Sequence, residues 1–91
     1  MPRMTPELRA ALVEGYESER ETWETRYVAA CFEKLAAVKD GEELPEVTDL
    51  GDVIDAAIDE APDDPTEPEL RLEPGIFVQL GVDYFGLDHL L

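Results

Sequence analysis

The chain has 91 residues and a formal net charge of −16, from 23 acidic and seven basic side chains. Hydrophobic residues make up 44% of it, close to the globular average, which favours one small folded domain over residues 1–91 and argues against wholesale disorder. A single cysteine excludes an internal disulfide, and no apolar run approaches the ~20 residues of a membrane span, so we expect a cytoplasmic protein without membrane contacts.

The negative charge is concentrated in one part of the chain. Residues 40–91 contain sixteen acidic side chains and one basic one, Arg71, whereas the two signs nearly balance in residues 1–39. A field of one sign confined in this way is typical of a surface for a cationic partner or of a solubility device. The sequence therefore indicates the sign of a partner's charge.

A helix is predicted to begin near the start of the chain. Thr5 is a suitable N-cap, Pro6 fits the first helical position, and Glu7 lies where the helix dipole favours an anion. Apolar residues then recur at three- and four-residue steps as far as Lys39, which predicts one long helix over residues 6–39. The residues of this stripe are Leu8, Leu12, Tyr16, Trp23, Tyr27, Ala30, Cys31, Leu35 and Val38.

The length of this helix conflicts with the size of the domain. At 1.5 Å per residue it would be about 51 Å long, whereas a compact domain of this size is only about 31 Å across. Either the helix bends near Gly15, or its middle packs against a second chain. We expect the second outcome, a homodimer formed through Tyr16, Trp23 and Tyr27.

A second helix is predicted from residue 49 or 50, capped by Thr48 or Asp49 and ended by Pro62. Its last turn contains Asp59 and Glu60, where a negative charge meets the negative end of the helix dipole at ~0.3 to 1 kcal/mol each. Folding alone does not favour acids at these positions. Its apolar residues at helical spacing are Leu50, Val53, Ile54, Ala57, Ile58 and Ala61, and Asp52, Asp55 and Asp59 line the opposite face.

Residues 40–48 and 62–75 are predicted to be acidic connecting segments, the second extended by its prolines. Two interpretations of residues 70–82 stay open. One is a small β-hairpin near 70–80, turning at Pro74 and Gly75, with a short helix from Asp83. The other is a helix through Phe77, Leu80, Tyr84, Leu87 and Leu91, in which Gly81 and Gly86 would each cost ~1 kcal/mol.

We expect the strand or loop followed by the short helix. In either case the C-terminal segment should pack against the first helix, which gives a mainly α fold. The contacts predicted are those of Phe77, Tyr84, Phe85 and Leu87 with Tyr27, Phe32 and Leu35.

The sequence offers little for catalysis or metal binding. Cys31 or Ser18 would need activation by His89, the sole histidine, and the apolar neighbours of Cys31 should raise its thiol pKa and suppress its reactivity. The chain has no calcium-loop motif and no Cys/His cluster for zinc. We therefore predict a protein that is not an enzyme, with no catalytic residues, metal site or cofactor.

A row of carboxylates is the strongest functional candidate. On one helix face such groups stand roughly 5 to 6 Å apart, close to the separation of phosphates along a nucleic-acid strand. A protein that holds phosphates with Lys and Arg could hold this row instead, with the same release of counterions. The predicted partner-binding residues are Asp52, Asp55, Asp59, Glu60, Asp63, Asp64, Glu67 and Glu69.

In size and charge layout, carried by residues 49–69, the chain resembles the small acidic DNA-mimic proteins of phages, including anti-restriction and anti-CRISPR inhibitors. The resemblance implies a viral inhibitor in the host cytoplasm that blocks a basic nucleic-acid-binding protein and binds no nucleic acid itself. The alternative is a structural or adaptor subunit from a salt-adapted or high-GC source, acting through its long helix. Mimicry predicts acids gathered on one surface, and salt adaptation predicts acids on every exposed face.

Overall fold

The computed structural model describes residues 2–46, 49–63 and 67–91. Within these ranges the chain is mainly α, as predicted, and no helix is long and apolar enough to cross a bilayer. An isolated antiparallel bridge joins Arg3 to Glu43. The elements are α1 (Pro6–Ser18), α2 (Thr25–Ala37), α3 (Leu50–Glu60) and α4 (Pro74–Phe85), with short 3-10 helices at Pro68–Arg71 and Asp88–Leu90.

The N-terminal part forms two helices joined by a turn, which corrects the prediction of one helix over residues 6–39. The helix begins as expected, because the Thr5 hydroxyl accepts a hydrogen bond from the Leu8 amide at 3.1 Å. This first helix ends at Ser18. Glu24 has an extended backbone with ψ 142°, and its carbonyl accepts hydrogen bonds from the amides of Tyr27 and Val28, which begin α2. The chain therefore folds back on itself and removes the length conflict that predicted a dimer.

The cause of this break lies in tertiary contacts. Folding back at residues 19–24 brings the Trp23 ring within 5.5 Å of Tyr84 and 6.3 Å of Phe85, measured between centroids. A continuous helix would leave Trp23 without these neighbours. Because burial of an aromatic side chain outweighs the small differences in helix propensity over a few residues, the contacts at the far end of the chain decide the outcome.

Three helices, α1, α2 and α4, enclose the core. Their buried apolar residues are Leu8, Leu12 and Tyr16 of α1, Val28, Cys31 and Leu35 of α2, and Phe77, Val78 and Val82 of α4. Met4, Val38 and Leu44 are buried at one end, where the Met4 amide donates to the Glu42 carbonyl at 2.9 Å. Arg9 of α1 holds the end of α2, because its guanidinium donates to the carbonyls of Leu35 (2.9 Å) and Val38.

Residues 74–85 form a helix, so the strand or hairpin expected there is corrected. Both glycines that counted against a helix have structural roles. A Cβ at Gly81 would lie 2.7 Å from the Tyr16 hydroxyl oxygen and 3.0 Å from Leu12 Cδ2, so this glycine lets α4 approach α1 closely. Gly86 adopts φ +67° beyond the end of α4, where the Leu87 amide donates to the Val82 carbonyl in a glycine C-cap.

Helix α3 lies at the edge of this three-helix core. Asp49 caps it, accepting from the Asp52 amide at 3.2 Å, and Thr48 lies outside the described residues. Ala57 is its one buried side chain, and the carbonyl of Ala57 accepts a 2.6 Å hydrogen bond from Arg71. The connector 62–75 was expected to be extended. It instead contains the 3-10 helix Pro68–Arg71, so it is not extended throughout.

Candidate functional site

The predicted acids of α3 lie where the sequence placed them. Asp52, Asp55 and Asp59 are exposed, as are Glu60 and the following Asp63. Asp59 and Glu60 occupy the last turn of the helix, which contains no basic residue. Negative charge at that end opposes the helix dipole, so the arrangement works against the stability of α3. We call Asp52, Asp55, Asp59, Glu60 and Asp63 the acidic face.

Ion pairs in the described part of the chain lie elsewhere. Four are formed, and every one joins residues between 3 and 43, so none of them neutralises the acidic face. The pairs are Arg3–Glu43 (2.9 Å), Arg9–Asp40 (2.9 Å), Arg20–Glu17 (2.8 Å) and Arg26–Glu24 (2.7 Å). The charge of the acidic face is therefore open to solvent.

Glu67 and Glu69 depart from the predicted row. Both are half-buried, and both line a cleft whose walls include Tyr27 and Tyr84. The 3-10 helix Pro68–Arg71 begins between them and turns this segment towards the core. The eight predicted partner-binding residues are thus divided between an exposed face and a cleft, and Asp64 lies outside the described residues.

The cleft has a volume of about 560 Å³, and six of its fifteen lining residues are aromatic. Trp23 is central to it, with ring centroids 5.2 Å from Tyr27 and 5.5 Å from Tyr84, both edge to face. Tyr84 is 62% exposed and contacts Phe85 at 5.0 Å. The sequence assigned Tyr16, Trp23 and Tyr27 to self-association. Tyr16 is 2% exposed inside the core, and the half-buried rings of Trp23 and Tyr27 pack against their own chain.

Four carboxylates share this cleft with the rings: Glu24, Glu67, Glu69 and Asp83. Two polar atoms at its inner side, the Tyr16 hydroxyl and Glu67 Oε2, are buried without a hydrogen-bond partner in the described structure. A buried polar atom left in this state costs ~1 to 3 kcal/mol, so the cleft contains unmet capacity for hydrogen bonding.

Ionisation within the cleft follows from burial and from these carboxylates. Burial raises the pKa of the Cys31 thiol to about 12, and the charges of Glu67 and Glu69 add to the rise. Burial likewise raises the pKa of Tyr27, again with contributions from Glu69 and Glu67. Burial, the larger cause, disfavours the charged form in either case, and the carboxylates add a smaller effect in the same direction.

The candidate nucleophiles are held in contacts within their own chain. Cys31 is 1% exposed, as the sequence predicted, and the Ser18 hydroxyl donates to the Gly15 carbonyl at 2.7 Å. Within residues 2–46, 49–63 and 67–91, no three His, Cys, Asp or Glu side chains are grouped so that they could hold a metal ion. The acidic face and the aromatic cleft are the two candidate sites.

The chain matches no protein family model, no curated protein and no solved structure.

Proposed function

We propose that this is a non-enzymatic acidic binding protein that inhibits a basic protein by occupying the surface on which that protein holds nucleic acid. The observation that carries the proposal is the acidic face of α3, five exposed carboxylates with no ion pair to any described residue. Such a surface attracts Lys and Arg side chains that otherwise contact phosphates, and binding there releases counterions. Nucleic acid itself is repelled by the same charge.

The position of α3 in the fold supports this assignment. Because the helix contributes one buried side chain, Ala57, its acids are not placed by the needs of the core. Asp59 and Glu60 weaken the helix that carries them, as expected of residues kept for binding. In type, the protein would be a phage inhibitor of the anti-restriction or anti-CRISPR kind, acting in the host cytoplasm.

The adaptor alternative loses its main support. It required a long projecting helix, and the chain instead forms a hairpin of α1 and α2 packed on α4. The same contacts bury Tyr16 and pack the half-buried rings of Trp23 and Tyr27 against their own chain, and these are the residues that were expected to form a homodimer. We therefore expect the protein to reach its partner as a monomer.

The test compares two variants that each remove four negative charges. The first carries Asp52→Asn, Asp55→Asn, Asp59→Asn and Glu60→Gln on the acidic face. The matched control carries Glu14→Gln, Glu33→Gln, Glu42→Gln and Glu46→Gln, all exposed and outside it. Partners are captured from nuclease-treated host lysate on the immobilised parent, identified and purified. Their affinity for parent, variant and control is then measured at low and high salt.

The acidic-face variant should fold at least as stably as the parent, because it loses repulsion and a dipole clash, and it should lose partner binding. The control should bind like the parent, and DNA or RNA should compete with the parent for the partner. Equal binding by the acidic-face variant, or a ternary complex of protein, partner and nucleic acid, would refute the mimicry.

A further inference from the structure

The aromatic cleft has a composition suited to a cation. The Trp23 ring packs edge to face against Tyr27 and Tyr84, at 5.2 and 5.5 Å between centroids, and Glu67 and Glu69 line the same cleft. Aromatic faces attract cations through their quadrupole, most strongly at Trp. The chain already uses this contact outside the cleft, because the guanidinium carbon of Arg20 lies 5.5 Å from the Phe32 ring centroid. A ligand group that is both positively charged and planar could contact the rings and the carboxylates at the same time.

We propose that the cleft binds the guanidinium group of an arginine side chain carried by the basic partner. The inference rests on the proposed function in one respect, that the partner is a basic protein. It concerns a different surface from the acidic face, because the cleft is formed mainly by α4, the turn at residues 22–24, two residues of α2, and Glu67 and Glu69, with Ile54 contributed by α3.

The partnerless polar atoms favour arginine over other cations. Tyr16 is 2% exposed and lines the cleft, and both its hydroxyl oxygen and Glu67 Oε2 can accept hydrogen bonds that no described group donates. A guanidinium has five N–H donors in a planar fork, pairs with a carboxylate through two of them and stacks on aromatic rings. A quaternary ammonium has no N–H donor. A lysine ammonium has three donors but is a strongly hydrated point charge that does not stack.

The chain's own cations near the cleft are engaged elsewhere. Arg26 forms a 2.7 Å ion pair with Glu24 at the rim of the cleft. The hydrogen bond to Glu24 is the main cause that raises the pKa of Arg26, and the charge of Glu67 adds to the rise. Lys34 donates to the Leu72 carbonyl at 2.8 Å, and Arg71 donates to the Ala57 carbonyl at 2.6 Å. None of these bonds satisfies Glu67 Oε2. The volume of about 560 Å³ lies within the ~300 to 1,000 Å³ typical of ligand sites, so residues flanking the arginine also fit.

Trp23 allows a direct measurement, because it is the only tryptophan of the chain and stands in the cleft wall. The parent protein is titrated at low ionic strength with the capped tripeptide acetyl-Gly-Arg-Gly-amide while Trp23 emission is recorded, and calorimetry follows the same titration. Two matched peptides replace arginine with citrulline, which keeps the planar shape without the charge, or with lysine. We expect saturable binding of the arginine peptide, about tenfold or more tighter than the citrulline peptide, with lysine between them.

Two pairs of variants test the walls of the site. Glu67→Gln with Glu69→Gln should weaken arginine binding about tenfold or more, whereas Glu73→Gln with Asp88→Asn, which removes the same charge outside the cleft, should leave it unchanged. Tyr84→Ala, which removes the ring, should weaken binding of the arginine peptide, whereas Tyr84→Phe, which keeps the ring, should bind it like the parent. Tyr84 is 62% exposed, so neither substitution threatens folding.

The proposal is overturned if the citrulline peptide binds as tightly as the arginine peptide, or if the Glu67 and Glu69 variant binds like the parent. It is equally overturned if neither fluorescence nor calorimetry detects saturable binding up to about 10 mM peptide. These titrations contain no partner protein, so their failure leaves the proposed role of the acidic face standing. Conversely, retention of partner binding by the acidic-face variant would leave arginine binding in the cleft intact.

Discussion

The contact between Gly81 and Tyr16 predicts a large energetic coupling between α4 and α1. A Cβ added at Gly81 would stand 2.7 Å from the Tyr16 hydroxyl oxygen, well inside the distance that two such atoms tolerate. Overpacking of this kind typically costs ~1 to 3 kcal/mol, and alanine regains ~1 kcal/mol over glycine inside a helix. Gly81→Ala should therefore destabilise the protein by up to about 2 kcal/mol.

The same substitution should behave differently once the hydroxyl is absent. In Tyr16→Phe the nearest ring atom would be Cζ, at 3.5 Å from the added Cβ, which is an ordinary contact. The remaining neighbour, Leu12 Cδ2 at 3.0 Å, is the end of a flexible side chain. Gly81→Ala should then be neutral or stabilising by up to ~1 kcal/mol. Tyr16→Phe alone should stabilise by ~1 kcal/mol, because it removes a buried hydroxyl without a partner.

A double-mutant cycle measures this coupling. Urea and thermal unfolding of the parent, the two single variants and the double variant should give an interaction energy of about 1 to 2 kcal/mol, within the range for residues in contact. In a domain of this size each 1 kcal/mol shifts Tm by roughly 4 to 8 °C, so the effect is readily resolved. Additivity within ~0.3 kcal/mol would show that the hydroxyl does not press on Gly81, and the packing argued for α1 and α4 would be incorrect.

Three further predictions concern charge, the thiol and assembly. Tm should rise as NaCl increases from about 0.05 to 1 M, because ions screen repulsion on the acidic face, and a flat profile would contradict an uncompensated surface. Cys31, with its pKa raised to about 12, should react with thiol reagents ~10³-fold more slowly in the native state than in urea. Since unfolding lets this thiol ionise, the free energy of unfolding should fall as pH rises from about 8.5 towards 12, which urea midpoints at successive pH values measure. Light scattering should give a monomer of about 10.2 kDa, and a stable dimer would contradict the intramolecular role of Trp23.

Local signals in the sequence were sufficient to predict three helix ends. Thr5 and Pro6 mark the start of α1, Asp49 caps α3, and Pro62 stands two residues beyond its end. These features depend on neighbours within a few positions, which is why they can be read without knowing the fold. The mainly α class followed from them and from the spacing of apolar residues.

Features that depend on distant residues were missed. The turn at residues 19–24 interrupts a stripe of helical spacing because Trp23 meets Tyr84, some sixty positions away, and nothing local to Trp23 reports that contact. Gly81 argued against a helix by propensity alone, yet it is the residue that lets α4 lie on Tyr16. In both cases tertiary packing overrode a local preference of about 1 kcal/mol.

The candidate site was predicted only in part. The exposed acids of α3 followed from helical spacing, but Glu67 and Glu69 belong to a segment so acidic and proline-rich that it was expected to be solvated. Carboxylates are rarely buried, so a sequence gives no reason to place one beside Tyr27.

Because α3 is attached at the edge of the core, selection on its exposed residues differs from selection on the residues of the core. Substitutions in α1, α2 or α4 disturb buried neighbours and are limited by the small stability margin of a domain of this size. Substitutions at Asp52, Asp55 or Asp59 change the exposed charge while leaving every buried contact in place. Under the proposed function, a lineage carrying this protein could therefore change its binding residues one at a time without passing through unfolded intermediates.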